Sequence, residues 1–180
     1  MAGQLSPKAV REGYAPEAFI FQERTEEGRA RFVAWTPDVA QLKGLVYAVL
    51  ERFPSTVDVL FKVESGAKTA RAGWRRYFGT ARLDRLMEVI RSVEELVFHD
   101  GGSMICVRSS DSGEYIALDE HGTLFIYSSD RGYLNLSEEL GFESRVNELI
   151  DAQGHWQVRP AHHQKQSRNL IKSLNLKFRR

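Results

Sequence analysis

Residues 104 to 127 read MICVRSSDSGEYIALDEHGTLFIY, and the class of fold turns on them. Met104 to Arg108, Tyr115 to Asp119 and Thr123 to Tyr127 are short runs rich in β-branched and aromatic residues, so each is read as a strand. Ser109-Ser110-Asp111-Ser112-Gly113 and Glu120-His121-Gly122 separate them. Both separators are short and polar, and each ends on a glycine that supplies the positive φ of a tight reversal. The three strands are therefore expected to form an antiparallel meander.

Upstream, Phe19 to Glu23 and Arg31 to Trp35 read as two strands of a hairpin, joined through the polar Arg24 to Ala30 with Glu27-Gly28 at its turn. A helix follows. Thr36 is its expected cap and Pro37 its first residue, while Val39, Leu42, Val46, Val49, Leu50 and Phe53 recur at three- and four-residue steps until Pro54. Val57, Val59, Phe61 and Val63 then alternate as one face of a strand. Gly66, Gly73 and Gly79 break the pattern over 65 to 79, and a second helix is expected from Thr80 to Val97, ended by His99-Asp100-Gly101-Gly102. Downstream of the meander, Ser137 is expected to cap a brief helical turn ended by Gly141, and Ser144 to Ala152 to form another amphipathic helix.

The order β-β-α-β-α-β-β-β-α predicts an α+β protein of two layers, an antiparallel or mixed sheet with helices on one face. Its 180 residues fit an irregular N-terminal arm over 1–18, one α+β domain over 19–154, and a basic C-terminal extension over 155–180 that packs on the domain. A single Cys106 forms no intrachain disulfide, and no run of about 20 apolar residues crosses a bilayer, so a cytoplasmic protein with no membrane partner is expected.

Charge is segregated along the chain. Residues 155 to 180 hold no Asp or Glu but seven Lys or Arg, leaving −6 on the rest against a total of +1. Two readings follow. The segment folds back on the acidic body, which Leu170, Ile171, Leu174, Leu176 and Phe178 favour, or it holds nucleic acid through Lys165, Arg168, Lys172 and Lys177. Arg71, Arg75 and Arg76, interleaved with Trp74, Tyr77 and Phe78, are a second basic candidate. The i, i+3, i+4 spacing of those aromatics predicts instead a short helix plugged into the core, with Arg75 and Arg76 facing water.

Catalytic patterns are sparse. The sequence has no HExxH, paired CxxC, GxSxG or phosphate-binding glycine motif. A small hydrolase or metal-dependent enzyme would have to be built near His99, Asp100, Asp119 and His121, which cluster at turns, and no cofactor is implied. Cys106 lies between Ile105 and Val107, where a buried thiol is ordinary. The leading expectation is a non-catalytic module that binds another protein through Tyr115, Asp119, His121, Tyr127 and Tyr133, aromatics and polar groups gathered on the meander and its exit. Its oligomeric state is left open by the sequence. Gly113-Glu114-Tyr115-Ile116-Ala117-Leu118-Asp119 followed by Leu124-Phe125-Ile126-Tyr127 resembles the strand region of bacterial SUKH-type immunity proteins. That resemblance implies a toxin-neutralising form of the same binding role.

Overall fold

The first hairpin forms as its alternation requires. β1 (Phe19–Arg24) pairs antiparallel with β2 (Ala30–Trp35), placing Phe19 opposite Trp35 and Arg24 opposite Ala30. The computed structural model describes residues 17–24, 30–64, 73–145 and 163–179. Most of the expected N-terminal arm, Arg71, and residues 146–152 of the expected third helix lie outside the described residues.

Helix α1 (Val39–Leu50) buries Leu42, Leu45, Val46, Val49 and Leu50. It starts two residues later than the Thr36-Pro37 reading predicts. Asp38 is the cap, its carboxylate accepting from the Ala40 N–H at 2.8 Å, while Thr36 Oγ1 accepts from the Asp38 N–H at 3.1 Å. Aspartate is the stronger cap, and its charge suits the positive helix end.

After strand β3 (Thr56–Glu64) comes a feature the sequence reading missed. Residues 74–82 form β4 (Trp74–Arg82), a nine-residue partner for β3 in which Phe61 faces Tyr77 and Val59 faces Gly79. The expected short helix at Trp74, Tyr77 and Phe78 is therefore wrong. A full antiparallel ladder outweighs a three-residue periodic coincidence, and the strand sends Tyr77 toward the helices but Trp74 and Phe78 to the other face. β4 also takes residues 80 to 82 from the expected second helix. What remains is α2 (Leu83–Ser92) and α3 (Glu94–His99), broken at Val93, where φ −134° and ψ 34° leave the helical region.

The meander stands as expected: β5 (Ser103–Ser109), β6 (Tyr115–Leu118) and β7 (Leu124–Tyr127) pair antiparallel in succession. Helix α4 (Gly132–Glu139) begins earlier than Ser137, which lies inside it and donates to the Tyr133 carbonyl at 2.8 Å. Gly141, at φ 83°, closes that helix, with the Phe142 N–H returning to the Ser137 carbonyl. Residues 143–145 are strand β8 (Glu143–Arg145), parallel to β1, and not the start of a helix. Helix α5 (Gln164–Ser173) and strand β9 (Lys177–Arg179) complete the described chain.

The sheet runs β8-β1-β2-β7-β6-β5-β3-β4-β9, antiparallel except where β8 meets β1. This is a mixed sheet in an α+β fold with helices on one face. The core lies between the two layers, where Val57, Val59, Phe61, Ile105, Val107, Ile116 and Ile126 meet Leu45, Leu86, Ile90, Leu96 and Leu170. On the opposite face, Phe19, Phe21, Val33 and Trp35 form a separate buried apolar cluster flanked by Phe125. No described helix is long and apolar enough to cross a membrane.

The C-terminal segment is joined to this frame by two devices. Asn175, at φ 51°, lets α5 end in a Schellman turn, with the Leu176 N–H donating to the Ile171 carbonyl at 2.9 Å and the Asn175 N–H to that of Lys172 at 3.1 Å. Leu176, buried in the core, then lies over Gly79, where a Cβ would come 2.8 Å from Leu176 Cδ2. Gly79 is thus a strand glycine that permits close approach. The expected outcome for Gly79→Val is a loss of about 1–3 kcal/mol from overpacking, measured by urea unfolding, with faster tryptic cleavage after Lys177. Asn175→Gly is expected to stay within about 0.5 kcal/mol of the parent, whereas Asn175→Val costs about 1–2 kcal/mol in the same assay because a β-branched residue resists positive φ.

Candidate functional site

The β6–β7 hairpin places Tyr115 directly opposite Tyr127, and their rings stack with centroids 3.9 Å apart and planes 15° from parallel. β2 lies on the other side of β7 and sets Arg31 opposite Tyr127. The Arg31 guanidinium donates through Nη1 to the Tyr127 hydroxyl at 3.0 Å and through Nε to Glu23 Oε1 at 2.6 Å. Its carbon sits 5.1 Å from the Phe125 ring centroid and 5.5 Å from that of Tyr127. Partial burial works against this charge, but the hydrogen bonds to Tyr127 and Glu23 outweigh it and hold the pKa above the usual arginine value. Tyr127 is thus held by Arg31 on one side and stacked on Tyr115 on the other.

A recess of about 450 Å³ opens beside them at the end of β1, β2, β6 and β7. Gln22, Arg24, Glu114, Ser128 and the two tyrosines line it. Strand alternation sends Gln22 and Arg24 to the helix side and the tyrosine rings to the helix-free side, so the recess wraps the strand ends. Glu114 accepts from the Ser128 hydroxyl and from Ser112 Oγ at 3.2 Å, which ties the β5–β6 turn to the exit of β7. The rim combines a cation, a carboxylate, hydroxyls and the outer side of the stacked tyrosine pair, a set suited to recognition.

The other residues expected at this surface lie elsewhere. Asp119 and His121 sit in the turn at the opposite end of the hairpin, four strand steps or about 13 Å from Tyr115. There Asp119 Oδ1 accepts from the His121 N–H at 2.9 Å and the Thr123 N–H at 2.8 Å, building the turn. Burial pushes its carboxyl above the ordinary range in spite of those donors. Tyr133 is a core residue, 2% exposed, tilted against Phe32 with the Arg52 guanidinium 5.1 Å from its ring centre. Burial raises its phenol to about 12. The enzyme-like set fares no better: His99 ends α3, Asp100 accepts from the Gly102 N–H, and among the described residues no three His, Cys, Asp or Glu side chains are grouped to hold a metal ion.

The basic candidates are divided by the sheet. Arg76 and Lys177 project from the helix-free face, while Arg75, one residue on, points to the helix side. Lys165, Arg168 and Lys172 are exposed along one stripe of α5, whose Ser167, Leu170 and Leu174 pack inward on the helix layer. Sequence reading missed Gln22, Arg24, Glu114 and Ser128 at the recess, because it is assembled from four strands and no local pattern announces it. It also missed Lys62, an isolated cation in sequence that the sheet registers beside Arg76, and counted Arg179 only as part of the basic tail.

Cys106 lies on the helix-free face between β3 and β6. Burial pushes its thiol pKa up, partly offset by Lys62. A raised folded value means the thiolate is disfavoured in the native state, so stability contributed by the neutral thiol is full below the unfolded thiol pKa and declines as pH climbs past it. Iodoacetamide is expected to alkylate Cys106 at least tenfold more slowly in the folded protein at pH 8 than in 8 M urea, read by intact mass.

No family model, curated protein or solved structure matches this chain in sequence or fold.

Proposed function

We propose that this protein is a non-catalytic protein-binding module whose contact surface is centred on the recess beside Tyr115 and Tyr127. One observation carries the reading: a stacked tyrosine pair, braced by Arg31, stands at the edge of an open recess of about 450 Å³ that continues round the strand ends to Gln22 and Arg24. Tyrosine supplies large contact area with few torsions to freeze, and the stacking and the Arg31 bond to Tyr127 favour the arrangement seen. A partner that inserts a side chain between Arg24 and Glu114 while covering the two rings gains apolar burial and directed hydrogen bonds together. The resemblance of residues 113–127 to immunity proteins supports a toxin-neutralising version of this role, and the single Cys106 suits a reducing, cytoplasmic setting.

The test uses the full-length chain as bait in cells of its source, with crosslinking and mass spectrometry, followed by calorimetry on the purified partner. Tyr115→Ala and Tyr127→Ala are each expected to weaken that complex by about 1–2 kcal/mol, roughly tenfold or more, while Lys165→Ala on α5 leaves it unchanged. Equal affinity for the wild type and the double tyrosine variant would remove the recess from the interface. Turnover of a substrate by the chain alone, lost in those variants, would replace the binding reading with a catalytic one.

A further inference from the structure

Sheet register assembles a second surface, independent of the recess. On the helix-free face, Lys62 of β3 is directly opposite Arg76 of β4, and Arg76 is directly opposite Arg179 of β9. Three cations thus stand in one cross-strand row about 10 Å long, strands being about 4.8 Å apart. Among the described residues no ion pair joins any of them to a carboxylate. The next row toward the β3 C-terminus holds Trp74 beside Glu64; the next in the other direction holds Phe78 between Leu60 and Lys177. Trp74 is 39% exposed, and the Arg179 guanidinium lies 5.5 Å from the Phe78 ring centroid. Asp58, two rows from the cations, accepts a hydrogen bond from Thr80.

Like charges directly opposite one another destabilise a sheet. Cations on an outer strand serve to discourage edge pairing, which accounts for Lys177 and Arg179. It does not account for Lys62, which lies on the third strand in from that edge and has pairing partners on both sides. Arg179 is eased by the Phe78 ring, but Lys62 and Arg76 break the rule with no ion pair among the described residues, the pattern expected at a functional site where a ligand would supply the opposite charge. That ligand carries several negative charges, and the rings of Trp74 and Phe78 on either side of the row select one with flat groups to stack.

We infer that the β3–β4–β9 face binds single-stranded nucleic acid, with Lys62, Arg76 and Arg179 on phosphates and Trp74 and Phe78 against bases. Open sheet faces bearing cations and aromatic rings suit unpaired strands because backbone charge and base faces are both accessible. A duplex hides its bases and an acidic peptide has none, so neither uses the aromatic rows.

The experiment measures anisotropy of labelled dT12 and rU12 with the full chain across a salt series, beside a 12-base-pair duplex and poly-glutamate of matched charge. Binding of both single strands is expected to exceed that of duplex and poly-glutamate by at least tenfold. The triple variant Lys62→Gln, Arg76→Gln, Arg179→Gln is expected to weaken binding at least tenfold and to flatten the slope of log affinity against log salt by about 2, as three lost phosphate contacts require. Trp74→Ala is expected to cost about tenfold on single strands and nothing on poly-glutamate. Relief of repulsion should leave the triple variant melting at or above the parent temperature, which separates a lost contact from a lost fold. Lys165→Gln, Arg168→Gln, Lys172→Gln on the opposite layer should bind within twofold of the parent. No single-strand binding at low salt, equal binding of poly-glutamate unaffected by Trp74→Ala, or loss confined to the α5 variant each overturns the assignment. None of these outcomes touches the tyrosine recess, whose partner is read separately.

Discussion

The two-residue period of β3 is the constraint on which the rest depends. Val57, Val59 and Phe61 must all turn one way, and helices α1, α2 and α3 form the layer that removes them from water. Every element paired to β3 inherits that division. β5 adds Ile105 and Val107 to the buried side, and the meander carries it on through Ile116, Leu118, Leu124 and Ile126. On the other side, the same alternation gathers on the helix-free face whatever the sequence holds between those apolar residues.

That second face carries the tyrosine pair and the cation row, while the recess beside the tyrosines lies at the strand ends, with Gln22 and Arg24 on the helix side; all are products of register. Tyr115 and Tyr127 are twelve positions apart in the chain, yet antiparallel pairing of a short hairpin stacks them. Lys62, Arg76 and Arg179 are drawn from three strands across most of the sequence. The apolar cluster of Phe19, Phe21, Val33 and Trp35 occupies the β1–β2 end of the same face. The helix-free side is thus graded from aromatic and apolar at one end to cationic at the other.

Closure of the C-terminal segment shows how local chemistry serves tertiary assembly. The Schellman turn at Asn175 reverses the chain out of α5, and Gly79 gives Leu176 room to bury, so that β9 reaches β4 in register. Without that route Arg179 would not stand beside Arg76. The segment's charges end on both sides of the sheet: Lys165, Arg168 and Lys172 with the helices, Lys177 and Arg179 with the open face.

Much of the fold was legible in the chain because its signals are local. The alternation in β3, the stripe on α1 and the glycine turns of the meander each express a period or a backbone requirement within ten or so residues. The reading failed at Trp74 to Arg82, where helical spacing of three aromatics was a coincidence that only the ladder with β3 resolves, and at Ser144, where a strand edge recruits residues of helical pattern. Site residues divide the same way. Composition drew attention to Tyr115 and Tyr127, but it grouped Tyr133, Asp119 and His121 with them, and the structure sends the first into the core and the others to the far turn. Sequence by itself determined the layer architecture, since burying apolar periodicity demands it. Tertiary structure alone decided which side chains share a surface, because strand register joins residues that no sequence interval relates.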